Sequence, residues 1–289
     1  MKDLFERAEE FIWRNARLID RRLFDFHFKS GSSQGVLSAL RAYQNEDGGF
    51  GNALEPDIRC PDSQPVPTQH ALEILDATEF DERTVQRTCD YLLSITTEEG
   101  GIPYVLPSVR NYPRAPWWNT QDNPPASLNP TAAICGILHK NKVRHAWLEN
   151  ATAYCWEKIP GITPEEQHEM GCVFTFLRYE PGRERAEKEM KRLGEQLLTS
   201  GLVAETGAAG YVGKALDWAP FPDDPLRGYF SEEEIQANLE ELVAGQQEDG
   251  GWTITWPPVS PGCEMEWRGW VTLNALLRLR ANGYFQGQG

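Results

Sequence analysis

Apolar residues recur at helical spacing along most of the chain. Leu4, Phe5, Ala8, Phe11, Ile12, Ala16 and Ile19 open the series at intervals of three and four. Ala71, Leu72, Ile74 and Leu75 continue it and predict a helix over residues 68–78, and Val85, Cys89 and Leu92 share one face of another over 81–95. The same pattern predicts helices over 130–138, 143–156, 164–177 and 183–198. Thr163-Pro-Glu-Glu166 and Ser231-Glu-Glu-Glu234 read as helix starts, each with a hydroxyl cap and acids at the positive end of the helix dipole. No segment alternates with the period of two that a half-buried strand requires. The expectation is an all-α fold.

The polar breaks between these helices repeat. Gln44-Asn-Glu-Asp-Gly-Gly-Phe50, Thr96-Thr-Glu-Glu-Gly-Gly-Ile102 and Gln246-Gln-Glu-Asp-Gly-Gly-Trp252 each follow an apolar helical run and end in Gly-Gly plus a bulky apolar residue. Glu205-Thr-Gly-Ala-Ala-Gly-Tyr211 reads as a degenerate copy. The markers Asp47, Glu99, Glu205 and Asp249 stand 52, 106 and 44 residues apart, so a decayed copy is expected near 159–163. Units of about 50 residues hold two helices and a loop. A glycine past a helix end takes the left-handed conformation, and Asp-Gly favours a turn, so Asp47, Asp249 and the glycine pairs are expected to be structural.

Composition narrows the classes of function. The chain of 289 residues carries 43 acidic and 28 basic side chains, a formal charge of -15. That field repels nucleic acid and anionic membranes, although a local apolar patch leaves peripheral membrane contact open. The six cysteines are scattered without a Cys-x-x-Cys pair, so neither a zinc ribbon nor a disulfide framework is expected. No apolar stretch is long enough to span a bilayer and none resembles a signal core, which predicts a cytoplasmic protein. The sequence has no Gly-x-Ser-x-Gly elbow, phosphate loop, Rossmann fingerprint or His-Glu-x-x-His.

The Gln-x-x-Asp-Gly-Gly-Phe/Trp turns resemble the QW-type repeats of squalene–hopene cyclases and protein prenyltransferase β-subunits. A Thr opens the next helix in each good copy: Thr68 after Pro67, Thr131 after Pro130, and Thr272 after Trp270-Val. The resemblance covers about residues 32–283 and implies a single α/α toroid over 1–289. It would be built from about five to six helix hairpins, with residues 1–30 packing on it as an N-terminal helical segment. It also implies an apolar, aromatic-lined central cavity for an isoprenoid-type ligand, where ring faces stabilise carbocations. Two departures stand out. The residues before the three Thr are Gln64 to Pro67, Ser127 to Pro130 and Arg268 to Trp270, none acidic, so the cyclases' Asp-x-Asp-Asp donor is missing. Glu264 and Glu266 fall where the prenyltransferases place two zinc ligands, but no His follows His168. No metal and no cofactor are expected.

Candidate chemistry gathers in acidic loops and aromatic residues. Glu55, Asp57 and Asp62 lie in a proline-stiffened loop. Glu264 and Glu266 are flanked by Trp256 and Trp267, and Asp217 stands with Asp223 and Asp224. An acid against apolar rings has its charged form desolvated and becomes a proton donor near neutrality. His70 and Arg59 join Asp57 as an acid–base or anion-binding group, and Arg110 and Arg114 stand near Trp117. Tyr104, Trp117, Trp118, Trp252, Trp256, Trp267 and Trp270 are the expected substrate walls. Three readings follow: an isoprenoid-binding cyclase-like or prenyltransferase-like protein, a carbohydrate-active glycosidase or lyase, and a non-catalytic binding protein.

Overall fold

Twelve α-helices organise the chain in a computed structural model that describes residues 2–285. They are α1 (Lys2–Asn15), α2 (Leu18–Phe28), α3 (Ser33–Leu40), α4 (Pro65–Ala77), α5 (Glu82–Ser94) and α6 (Leu128–Lys140). There follow α7 (Ala146–Lys158), α8 (Gln167–Tyr179), α9 (Arg183–Leu197), α10 (Ala215–Trp218), α11 (Glu232–Ala244) and α12 (Pro261–Ala281). Among the described residues no strand forms, and β-type pairing occurs as isolated bridges such as Gln44 with Phe50. The expected fold class is therefore all-α as observed. The ends of the expected span 1–289, Met1 and residues 286–289, lie outside the described residues.

Two compact units divide the chain: Leu40–Gln196, and Met1–Ala39 together with Leu197–Gly289. In the first unit α6 packs on α4, α7 and α8, and α5 packs on α7. Helix α6 is apolar on every side, with Ala132, Ala133, Ile134, Cys135, Ile137 and Leu138 all buried, as a central helix must be. A Cβ on Gly136 would meet the Thr175 carbonyl oxygen at 2.5 Å, so the missing side chain lets α6 lie against α8. In the second unit α1 and α2 pack on α12, and α10 packs on α11.

The repeated turns share one construction. In the first, Gln44 Nε2 donates to the Gly48 carbonyl (3.0 Å), and the Asn45 amide donates to the Gly49 carbonyl (2.9 Å). The Gly49 amide donates to Asp47 Oδ1 (3.0 Å), and the Phe50 amide donates to Thr68 Oγ1 (3.1 Å). The last turn matches bond for bond: Gln246 Nε2 to Gly250 O (2.9 Å), Gln247 N to Gly251 O (2.8 Å), Gly251 N to Asp249 Oδ1 (3.1 Å), Trp252 N to Thr272 Oγ1 (3.0 Å). The middle copy keeps Thr97 N to Gly101 O (2.9 Å) and Ile102 N to Thr131 Oγ1 (3.1 Å). Gly48 and Gly250 both have φ of +93°, a conformation that residues with a side chain rarely adopt.

A helix covers each turn through two residues four apart. Arg87 and Tyr91 of α5 cover the first: Arg87 donates to the Asn45 and Glu46 carbonyls (3.3 and 3.0 Å), and a Cβ on Gly49 would meet the Tyr91 ring at 2.7 Å. Asn150 and Tyr154 of α7 lie against Gly100 and Gly101 in the same way. Arg7 and Phe11 of α1 cover the last turn, with Arg7 donating to the Gln247 and Glu248 carbonyls (2.6 and 3.2 Å). The first helix thus stands where a helix following the last turn would stand. Arg192 of α9 bonds the Ile159 and Ile162 carbonyls (2.9 and 3.0 Å) in the segment where a decayed copy is expected, which holds Gly161 but no glycine pair.

Several boundaries differ from the sequence reading. The N-terminal apolar series breaks after Asn15, because Arg17 leaves helical geometry to pair in two bonds with the buried Asp20 (2.8 and 3.1 Å), while Arg21 takes the Ala16 carbonyl. Helix α8 begins at Gln167 and not at Pro164, since Glu166 caps it through the His168 and Glu169 amides. Thr272 does not open a helix. Ser260 caps α12 at the Cys263 amide with Pro261 in its first turn, which places Thr272 mid-helix. The Ser231–Glu234 capping box forms in both directions as the sequence predicts. The Glu205–Tyr211 copy does not reproduce the turn; Asn238 and Glu241 of α11 hold its surroundings, and Tyr211 stays half exposed.

Candidate functional site

Helix α4 starts from a tightly held loop, and its first exposed turn carries polar side chains. Pro65 and Pro67 fit the opening turn, where no amide partner is needed. Gln64 precedes them, fully buried, donating to Ser108 Oγ (2.8 Å) and accepting from the Leu106 amide (2.9 Å). The structure brings His70 to Glu55 of the loop, where Asp57 and Arg59 were its expected partners. Glu55 is buried, accepts from the Asp57 amide (3.4 Å), and meets His70 Nδ1 at 3.3 Å through its other oxygen. A carboxylate at this distance favours the form of the imidazole that carries a proton on Nδ1. Asp57 is buried beside it.

The other members of that expected group do different work. Arg59 Nη1 donates to the Pro56 carbonyl (3.2 Å) and braces the loop. Asp62 is exposed, and its backbone carbonyl lies under Gly51.

Glu73 was not singled out from sequence, yet it stands one turn beyond His70 on α4. Burial pushes its carboxyl up to about 7, with Asp76 adding repulsion and a 2.7 Å bond from Gln69 Nε2 acting the other way. The side chain is exposed to solvent, which works against that rise. Cys172 of α8 faces the same region, 3.5 Å from Asn129 Oδ1 and 4.0 Å from Gln69 Oε1. Burial, followed by the nearby Glu73 charge, raises its thiol well above the ordinary value, so it is a weak donor and not a nucleophile. Burial also raises Glu169 at the start of α8, with Glu166 and Glu165 contributing. The spacing of Gln69, His70 and Glu73 on a Thr-led helix was the available signal for this face.

In the other unit the acids and aromatics of α12 are placed differently from expectation. Glu264 and Glu266 are helical, not in a loop, because α12 begins at Pro261. Asp217 likewise sits in α10, accepting from the Lys214 amide (3.0 Å) and from Arg278 (2.6 Å). Trp256, Trp267 and Trp270 form an edge-to-face row at 5.1 and 5.5 Å, extended by Tyr211 at 5.2 Å from Trp256. Trp270 and Tyr211 end the row with exposed rings. Trp252 is core: it is buried and donates to the Leu242 carbonyl (2.7 Å). Asp249 is a strut whose carboxyl is held below its usual range by Arg268 at 2.7 Å.

Between α5 and α6, Trp118 is buried and stacks on Tyr104 (4.8 Å, 26°), while the next ring, Trp117, is 42% exposed. Arg110 and Arg114 are used within this segment, by Asp122 and by Asn119.

Among the described residues no helix is long and apolar enough to cross a membrane. No protein-family model matches the chain, and comparison with curated proteins gives no match.

Proposed function

We propose that the chain is an acid–base enzyme that cleaves a C–O bond in a polar, hydroxyl-bearing substrate, in the manner of a glycosidase or lyase. The observation that carries this reading is the placement of the buried Glu55 against His70, with Glu73 one turn further along α4. In hydrolysis, the leaving oxygen takes the proton of Glu73 as its bond to carbon breaks. A water molecule attacks that carbon and gives its proton to His70, whose positive charge Glu55 stabilises. A carboxyl raised by its surroundings keeps its proton closer to neutrality, which suits an oxygen leaving group. Gln69 and Asn129 supply the amide groups that hydroxyls bind.

The helix hairpins are read as stacking into an α/α toroid. The shared turn construction supports it, as does α1 covering the last turn.

A screen for reducing-end release and for unsaturated products across plant and bacterial polysaccharides tests the function. Glu73→Gln and His70→Ala should each lower turnover by about 100-fold or more. Absence of turnover by the unaltered protein on the whole panel would sink the reading. The isoprenoid reading rests on the Tyr211–Trp256–Trp267–Trp270 row and the QW-type turns. Binding of farnesyl or geranylgeranyl diphosphate, weakened by Trp270→Ala, would favour it instead.

A further inference from the structure

We infer that the segment from Pro107 to Asn119 forms a sugar-ring subsite beside the acid–base group, with Trp117 as its stacking platform; this rests on the carbohydrate reading above. The backbone ties the segment to the acid-bearing loop. The Arg59 amide donates to the Pro113 carbonyl (3.1 Å), the Ala115 amide donates to the Asp57 carbonyl (3.1 Å), and Ile58 and Arg114 pair antiparallel. Ala115 is therefore bonded two residues along the chain from Glu55, the carboxylate that holds His70.

Internal bonds make the segment stiff before any ligand arrives. Arg114 places Nε and Nη2 on Asn119 Oδ1 (2.9 and 2.6 Å), and Nη1 on the Arg110 and Tyr112 carbonyls (3.0 and 3.1 Å). Its guanidinium is a brace, which argues against an anion as the ligand. Trp118 anchors the segment in the core against Tyr104, and Pro116 begins the short turn from which Trp117 projects. Ordering cost is thus met in the free protein, as a binding platform requires.

A cavity of about 340 Å³ lies in this segment, lined by Tyr112, Pro113, Arg114, Ala115, Pro116 and Asn119. Tyr112, Pro113 and Pro116 give it apolar faces, Asn119 adds an amide edge, and Trp117 stands next in the chain to Pro116 at its border. A pyranose has the complementary surface: C–H faces that stack on rings, and a rim of hydroxyls.

Binding of cellohexaose, xylohexaose, maltohexaose and hexagalacturonate, followed by calorimetry, tests the subsite together with steady-state kinetics on the hexamer turned over. Trp117→Ala should weaken hexamer binding about three- to tenfold and raise KM with kcat kept. Trp117→Phe should restore most of the loss. Glu73→Gln should do the reverse, lowering kcat with hexamer binding kept. Hexamer binding or turnover that is indifferent to Trp117→Ala overturns the subsite and leaves the enzyme reading standing. No binding of any hexamer by the unaltered protein overturns both.

Discussion

Replacing Thr68 by Val tests whether the threonine hydroxyls hold the turns. Val keeps the shape and removes the oxygen. In the native chain Thr68 Oγ1 accepts from the Phe50 amide at 3.1 Å and donates to the Gln64 carbonyl at 2.8 Å, and Thr68, Phe50 and Gln64 are all fully buried. The carbonyl keeps its helical bond from the Thr68 amide at 3.2 Å, so the orphan left behind is the Phe50 N–H. A buried donor without a partner costs about 1–3 kcal/mol. Unfolding entropy is about 2.1 cal/mol/K per residue, so a loss of about 2 kcal/mol lowers the midpoint of this 289-residue chain by about 3 °C. Urea denaturation followed by far-UV circular dichroism reads the same loss at fixed temperature. Thr272→Val should cost a similar amount, because the Trp252 amide depends on it alone in the same way. Thr68→Ser keeps both bonds and should lose well under half as much. A Thr68→Val protein as stable as the parent would refute the hydroxyl's role in the turn.

Tyr91→Phe should be neutral or stabilising by up to about 1 kcal/mol, since its hydroxyl is buried without a partner and the matching position in the last turn is already Phe11; thermal denaturation decides the sign. Gly250→Ala should cost more than about 2 kcal/mol, because its Cβ would lie 2.2 Å from the Arg7 carbonyl oxygen at a φ of +93°. Gly161→Ala, with open space around it, serves as the near-neutral control in the same melt. Glu73 should titrate near 7 by carbon-detected NMR. Its folded value lies above the unfolded one, so the stability it contributes is full below about pH 4.5 and fades as pH rises through about 7. Glu73→Gln should remove that part of the decline.

The turns were legible because their determinants are local. Asp47, Gly48, Gly49 and Phe50 act within seven residues, and the carbonyl-bound Gln44 closes the same loop. Thr68 and Thr131 were legible for the same reason, lying near a helix start marked by proline. Thr272 was misplaced because Ser260-Pro261 reads as loop punctuation when the helix it begins has a mixed, nearly moment-free face. The arginines that cover the turns were not legible: Arg7 meets Gln247 across 240 positions, and no short-range pattern announces it. At the site, the acidic loop and His70 could both be singled out, because loop and helix are neighbours in sequence, but the expected partner of His70 was Asp57 and the one found is Glu55. Glu73 could not be weighted, since its neighbour Cys172 of α8 comes about a hundred residues on.

Because α1 seals the last turn, the two units differ in when synthesis lets them form. The unit from Leu40 to Gln196 is one continuous stretch and can fold as it leaves the ribosome. Helix α1 must await its partners 240 residues later, about 12–48 s at 5–20 residues per second. For that interval Phe5, Ala8, Phe11 and Ile12, buried in the finished chain, have no native partner from α12 or the closing turn. Helix α1 is therefore the stretch on which a holdase chaperone would act during synthesis.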